Sequence, residues 1–350
     1  MTRLLSRRAL GWAVAALIAL VALMSIWPPA TMQPFMAQLI ALRSFQVVGW
    51  ALLGLAVLGI ALLRRRLARP GAHRPGLRTG SLAAVLLIVA LVHGGIIVSR
   101  GLSPRSEAPQ DSLTVLNLNT EREDVPARDV ATAATTASAD IIVLTETSED
   151  YGQALAGMLT TEDFTVYTAV GAPGWQDTEP EDGGIDPVRA TTVLVASHLG
   201  QFRQVEGPQG AGRGLVRLEP VDGTGPVIIG AHTYPPVPGY MSLWRSSTAV
   251  VASLCQAPAP GLILVGDLNA TRDHAPLRDL HECVSAGEQA GIGGLATWPT
   301  ATGTTLMGAT IDHVLIDPGA WQARSGEVLD LPGSDHRAVV VHLTERPQGH

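Results

Sequence analysis

A chain of 350 residues with 46% hydrophobic content is long enough to bury a sizeable core, but its charge is divided unevenly. Residues 1–100 hold eleven Arg and no Asp or Glu, so all 31 acidic residues lie in 101–350 beside thirteen Arg, a formal charge of −18 hidden behind a net of −7. Two cysteines exclude a cysteine-rich zinc module or a dense disulfide framework, and the absence of Lys reads as a coding bias towards Arg.

Three apolar runs open the chain. Arg3, Arg7 and Arg8 precede the first, 9–27, which is about the length needed to cross a bilayer. A signal peptide would have a shorter apolar core, and two further runs follow, so an uncleaved helix is the better reading. The second run, 45–63, stops at Arg64, Arg65 and Arg66, and the third, 81–99, carries one histidine, His93, for which a packing role is expected. Short cytoplasmic connections retain positive charge. The N-terminal segment has three Arg and the 64–80 connection six, whereas the 28–44 connection has only Arg43. The N-terminus is therefore expected in the cytoplasm and everything after residue 100 outside, making a multi-pass protein of the cell membrane. Residues 101–112, with two Pro and three Ser, read as an exposed linker.

From residue 113 short apolar runs alternate with helical or loop segments, the pattern of an α/β domain. Strands are expected at 113–119, 141–146, 191–197, 227–232, 262–267, 310–316 and 338–343, and helices at 127–139, 241–255 and 275–283. The Gly-, Pro- and acid-rich stretch 171–187 reads as a mobile surface loop.

The stretch Gly-Leu-Ile-Leu-Val-Gly-Asp-Leu-Asn-Ala-Thr, 261–271, sets the chemistry. A buried strand ends in Asp267 and Asn269, which are two residues apart and so point to one side, able to converge on a water or a phosphate; an ordinary turn is the alternative. Other apolar strands end the same way, in Asn119, Glu146 and His232, while Asp312 follows Ile311, and Ser334, Asp335 and His336 precede the last strand. A bland domain places Ser and Gly at such ends as readily, so the recurrence favours a site. Carboxylate and carboxamide oxygens suit Mg²⁺ or Mn²⁺, and a metal with two imidazoles and an Asp that activates water is a hydrolytic set for phosphoesters.

The ordered motifs Val-Leu-Asn-Leu-Asn (115–119), Thr145-Glu146, His-Thr-Tyr-Pro-Pro (232–236), Gly-Asp-Leu-Asn-Ala-Thr (266–271), Ile-Asp-His-Val (311–314) and Ser-Asp-His (334–336) resemble the endonuclease/exonuclease/phosphatase superfamily across 113–344. The layout of three spans before such a domain, with the Pro-Pro and Asp-His-Ala-Pro details, resembles actinobacterial membrane proteins linked to vancomycin and teicoplanin resistance. The resemblance implies a four-layer α/β sandwich, two packed β-sheets flanked by helices. It also implies that Glu146 is the main metal ligand, that Asn119 neighbours it with Asn117 as fallback, and that Asp335 approaches the metal from the other side. Asp267 would orient or deprotonate the attacking water, Asn269 would hold water and phosphate in line, His232 and His336 would donate to phosphate oxygens, and Asp312 would fix the tautomer of His336. The family usually has Gln where this chain has Thr145, which leaves a secondary contact in doubt.

Other residues have plainer readings. His313 is expected to pack, and His198, His274, His281 and His342 to lie at the surface or in caps. Trp298 would line the pocket or pack beneath it. Cys255 and Cys283 would pair in an oxidising exterior, two free buried thiols being the alternative. A domain at −18 repels DNA at long range, so nucleic acid is an unfavoured partner. The leading expectation is a Mg²⁺- or Mn²⁺-dependent hydrolase acting outside the membrane on a small or lipid-linked phosphoester or pyrophosphate, such as an isoprenoid (undecaprenyl) phosphate. The alternatives are an extracellular nuclease and a non-catalytic membrane receptor that retains the fold.

Overall fold

The computed structural model describes residues 11–18, 20–21, 24, 27, 29–67, 76–104, 109, 111–160, 162–174 and 184–346. The chain divides into two compact units, Met1–Ser99 and Arg100–His350.

In the first unit a short helix α1 (Met36–Ala41) precedes α2 (Arg43–Leu67) and α3 (Gly76–Ser99). At 1.5 Å per residue the 25 residues of α2 extend about 37 Å, more than the ~30 Å of a bilayer's hydrocarbon core. Arg43–Leu67 and Thr79–Ser99 are each long and apolar enough to cross a membrane. Residues 11–18 are helical, and the remainder of the expected span 9–27 lies partly outside the described residues. Gly54 lets the two long helices approach closely, because a Cβ there would meet Leu87 at 2.9 Å. His93 turns inward and its Nδ1 lies 2.5 Å from the buried Arg43 guanidinium.

The second unit contains β1 (Leu113–Asn119), α4 (Ala127–Ala137), β2 (Ile141–Thr145), α5 (Glu149–Met158), β3 (Phe164–Val170), β4 (Ala190–Ala196), β5 (Phe202–Val205), β6 (Leu215–Pro220), β7 (Ile228–Ala231), α6 (Met241–Ser253), β8 (Ile263–Asp267), α7 (Ala275–Arg278), β9 (Val284–Ser285), α8 (Ala286–Gln289), β10 (Asp312–Ile316), β11 (Trp321–Asp330) and β12 (Arg337–Glu345). Two six-stranded sheets form, in the orders β11-β12-β1-β2-β4-β3 and β5-β6-β7-β8-β10-β9. Alternate residues of the central strands face opposite ways. On β1, Val115 packs between the sheets with Val143, Val265 and Val314, whereas Leu116 and Leu118 face the layer built on α4 and α5. Asn117 and Asn119 therefore fall on the inter-sheet side, where an apolar residue would otherwise be.

Topology places the chemistry at one edge. The pairs β1/β2 and β7/β8 are parallel, so four strands end together. Antiparallel β10 starts there, with Asp312 opposite Asp267, and antiparallel β12 starts beside the end of β1. Gly266 sits at φ 149°, where a Cβ would lie 1.9 Å from the Ala231 carbonyl oxygen, so glycine is what allows β8 to close against β7 one residue before Asp267.

The structure departs from the sequence expectation at the edges. In the second unit strands β3, β5, β6, β9 and β11 and helices α5 and α8 are not among the expected elements, because a search for continuous apolar runs finds strands buried on both faces. Edge strand β3 (Phe-Thr-Val-Tyr-Thr-Ala-Val) is only half-buried, and β11 mixes Gln, Arg and Glu with apolar residues and shifts register between Ala323 and Ser325. The helix expected at 275–283 stops at Arg278, since Asp279 turns extended and Cys283 leads into β9. Residues 175–183 of the expected mobile loop lie outside the described residues. Cys255 and Cys283 are joined in a buried disulfide that ties the end of the α6 segment to the start of β9. Closing a loop of 28 residues, this bond is worth roughly 3–4 kcal/mol in the loop-entropy treatment. Chemical denaturation under reducing conditions is expected to show a loss of that size relative to the oxidised protein, and Cys255→Ser with Cys283→Ser to reproduce it without reductant.

Candidate active site

Asp267 is the hub. Its carboxylate is 1% exposed, and four side chains from four different segments converge on Oδ2. Asn119 Nδ2 donates to it at 3.1 Å and Asn269 Nδ2 at 3.3 Å, while His232 Nε2 lies at 3.6 Å and His336 Nε2 at 3.8 Å. Its Oδ1 accepts the Asn269 backbone N–H at 2.8 Å, which bends the chain so that Asn269 adopts φ 45° and its side chain returns over the carboxylate. The same Asn269 amide also donates to the Thr233 carbonyl at 3.0 Å, fixing it between the ends of β7 and β8.

Glu146 follows β2 directly and takes φ 57°, an uncommon conformation for a residue with a Cβ. That kink turns its carboxylate across the sheet end, where Oε1 accepts from Asn119 Nδ2 at 3.3 Å and lies 3.9 Å from His232 Nε2. The third acid, Asp312, accepts His336 Nδ1–H at 2.9 Å on Oδ2, and Asn117 Nδ2 reaches its Oδ1 at 3.4 Å. Asp335 is placed differently from Glu146 and Asn119. Its Oδ2 accepts the Trp298 indole N–H at 2.7 Å and its Oδ1 lies 3.7 Å from His336 Nε2, so it flanks the imidazole from the solvent side.

Burial dominates the electrostatics. It raises Glu146 above the usual carboxylate range against the opposing pull of the Asn119 hydrogen bond and of His336, Arg122 and Arg213. Burial, aided by Asp312, pushes Asp267 to about 7 despite His336 and the hydrogen bonds from Asn269 and Asn119. His232 falls well below its ordinary value because it is buried and faces the positive charges of Arg213 and His336. Burial also pulls His336 down, but Asp312, Asp267 and Asp335 outweigh it and its pKa is pushed up to about 10. The site thus carries one neutral and one charged imidazole.

Two buried acids, Asp267 and Asp312, and the half-buried Glu146 against one imidazolium leave negative charge to be compensated, which is the donor set a hard divalent cation takes. Glu146 and Asp267 already share the single amide donor of Asn119. Asp267, Asp312 and His336 also form a group whose ligand atoms lie within 4.8 Å of one another. The 2.9 Å Asp312–His336 hydrogen bond makes that trio better described as a hydrogen-bonded chain than as a ligand set, since it occupies the nitrogen facing the acid.

Several residues that the motif reading left without a role hold the site together. Ser334 donates to the Asn119 carbonyl at 2.7 Å and accepts the His336 backbone N–H at 2.9 Å, coupling β1 to the His336 loop. Glu121 accepts the Asp335 N–H at 2.6 Å, while its own N–H donates to Asn119 Oδ1 at 2.9 Å. Arg213, bracketed by Gly212 and Gly214, stacks over Tyr234 and Tyr240 at 5.3 and 5.1 Å. The glycine bracket was its only signal in the sequence. Trp298 does not simply pack beneath the pocket, because its indole binds Asp335. Among the described residues, Thr145 Oγ1 is buried without a hydrogen-bond partner at the position where a longer amide is usual. His313 packs, donating to the Ala270 carbonyl at 2.8 Å. His274 is fully buried at the N-cap of α7, its Nδ1 accepting the Thr271 N–H at 2.8 Å and its ring set edge-on to Trp244.

The backbone arrangement is shared with solved structures. The catalytic domain of human nocturnin, determined with a bound sulfate anion, superposes with a TM-score of 0.50 at 15% identity, covering 69% of this chain and 100% of that one. A humanised D. rerio TDP2 carrying 14 mutations gives 0.50 at 15% identity, over 67% of this chain and 99% of the other. Mannosyl-6-phosphatase of Bacteroides thetaiotaomicron gives 0.47 at 17% identity, over 67% and 100%. No curated protein matches the chain in sequence. The model of the Endonuclease/Exonuclease/phosphatase family matches residues 114–336, well over half the chain and every segment that meets at Asp267, so the chain belongs to that family.

Proposed function

We propose that this protein is a divalent-metal-dependent phosphoester hydrolase whose catalytic unit, 113–344, works at the outer face of a cell membrane. The observation that supports it most is the convergence of Asn119, Asn269, His232 and His336 on one buried carboxylate beside Glu146. Glu146 and Asn119 would hold Mg²⁺ or Mn²⁺, with Asp335 reaching it from the far side of His336. The ion would supply positive charge to the phosphate oxygens.

The protein's own groups account for the rest. Asp267, with a pKa near neutrality, is suited to take the proton of a water aligned by the Asn269 amide as the water oxygen attacks phosphorus and the ester oxygen leaves. Neutral His232 would donate through Nε2–H, and His336 as imidazolium would donate from the opposite side, to the oxygens on which charge develops. Asp312 holds His336 by Nδ1, fixing both its orientation and its charge.

Location and substrate follow from charge. Membrane-length helices, arginine-rich connections at 1–8 and 64–80, and a buried disulfide agree with an exported catalytic unit. The −18 charge of 101–350 disfavours nucleic acid and favours a small or lipid-linked phosphoester. The layout of apolar helices ahead of such a domain supports kinship with the membrane proteins of glycopeptide resistance.

Full-length protein in detergent with Mg²⁺ or Mn²⁺ is expected to release phosphate or alcohol from a panel of phosphoesters and pyrophosphates, lipid phosphates included, and to leave plasmid DNA intact. Asp267→Asn should lower kcat by roughly 10²- to 10⁴-fold, the range typical of a lost general base. Equal turnover by wild type, Asp267→Asn and Glu146→Ala would sink the assignment, and metal-dependent nicking of the plasmid would transfer it to the nuclease reading. A second expectation concerns His336 and Asp312. Because the folded-state pKa of His336 is raised, its stabilising charge is fully present below 6.5 and is lost as pH rises through about 10. In Asp312→Asn the largest raising influence disappears while burial stays, so the His336 ring signals followed by NMR should titrate at clearly lower pH.

A further inference from the structure

Charge is absent from the two loops that frame the site. Between His232 and Arg245 lie twelve consecutive residues, 233–244, with no ionisable acid, Arg or His, and between Gln289 and Asp312 lie twenty-two more, 290–311. Within 101–350, whose formal charge is −18, both uncharged stretches adjoin catalytic positions directly.

Hydrogen bonds lace each loop to the chemistry. On one side Thr233 N–H donates to the Asp267 carbonyl at 3.1 Å, Thr233 Oγ1 to the Leu268 carbonyl at 2.5 Å, and Trp244 Nε1 to the Asn269 carbonyl at 2.9 Å. On the other, Thr300 N–H donates to the Asp335 carbonyl at 2.8 Å and Trp298 Nε1 to its carboxylate. Both loops carry apolar side chains into solvent. Leu243 is 42% exposed in the first turn of α6, beside the proline-rich 235–238, and Leu306 is 57% exposed in the 299–308 loop. The opposite end of the sandwich is unlike this, since Asp111, Asp140 and Glu345 line its cavity.

We infer that the charge-free rim formed by 233–244 and 297–308 takes the hydrocarbon chain of a lipid phosphate substrate, with Leu243 and Leu306 as chain-contact residues that set specificity. This rests on the phosphohydrolase reading above. A group esterified to a phosphate held at Asp267 would lie against these loops, which are hydrogen-bonded to the backbone carbonyls of Asp267, Asn269 and Asp335. An aliphatic chain is the group whose transfer from water they favour, whereas a polyanionic strand would find no cation among the loops' own residues, Arg213 being buried over Tyr234 and Tyr240 and Arg337 buried against the Pro299 and Thr300 carbonyls.

The rate constant kcat/KM for full-length protein is to be measured along a series of n-alkyl phosphates from methyl to octyl, kept below micelle formation. It should rise with chain length by up to about fourfold per methylene, the equivalent of ~0.8 kcal/mol for each one buried. In Leu243→Glu and Leu306→Glu the octyl-to-methyl ratio should fall by about tenfold or more, as expected when apolar contact area is replaced by charge. A flat series in an active wild-type enzyme would overturn the proposal whether or not the variants fold, and so would variants that depress octyl and methyl phosphate equally. Failure to hydrolyse any ester in the series or in the wider panel would instead remove the phosphohydrolase reading, and this inference with it.

Discussion

Burying one carboxylate, that of Asp267, is the constraint on which the rest of the catalytic unit depends. A buried acid is costly unless hydrogen bonds or opposite charge meet it. Here the relief comes from the ends of β1, β7 and β8 and from the 334–336 turn, four segments distant in sequence. Parallel pairing of β1 with β2 and β7 with β8 gathers those ends on one side, and the glycine at 266 lets β8 close against β7 directly before Asp267. A fold that did not deliver all four would leave Asp267 either protonated or exposed, and its pKa of about 7 shows how near the balance stands.

The central strands were legible because they are buried on both faces and so read as unbroken apolar runs, each closing on a polar residue. Leu-Thr-Val-Leu-Asn-Leu-Asn and Ile-Leu-Val-Gly-Asp declare both the strand and its functional end. Edge strands were not legible by that signal. β3 at an edge and β6, one strand in from an edge, are partly exposed, so their alternation is mixed with polar residues and their identity comes from their partners across the ladder. The short α7 shows the opposite failure, in which Ala, Leu and Arg promise more helix than a chain led into β9 next to a disulfide can form.

Within the site, the residues aimed at a common centre were readable from motif order, whereas those that position them were not. Ser334 lies inside a motif, yet its role as a bridge from the Asn119 carbonyl to the His336 N–H exists only once β12 has paired with β1. Glu121 and Arg213 carry no spacing signal, because each acts through a contact made across the fold. Side chains directed at a shared centre leave a pattern of residue types in the sequence. Residues that brace the backbone leave none, since many side chains brace equally well.

Glu146 and Asn269 both hold left-handed backbone conformations, at φ 57° and 45°. Asn tolerates that region comparatively well, whereas Glu gains nothing from it locally, and residues so placed cost on the order of 1 kcal/mol or more. Glycine would relax both positions and remove both functional groups. The scaffold and the chemistry therefore pull these two positions in opposite directions, and their identity records which requirement has prevailed: the protein gives up part of its folding stability to keep a carboxylate and a carboxamide turned back across the strand ends.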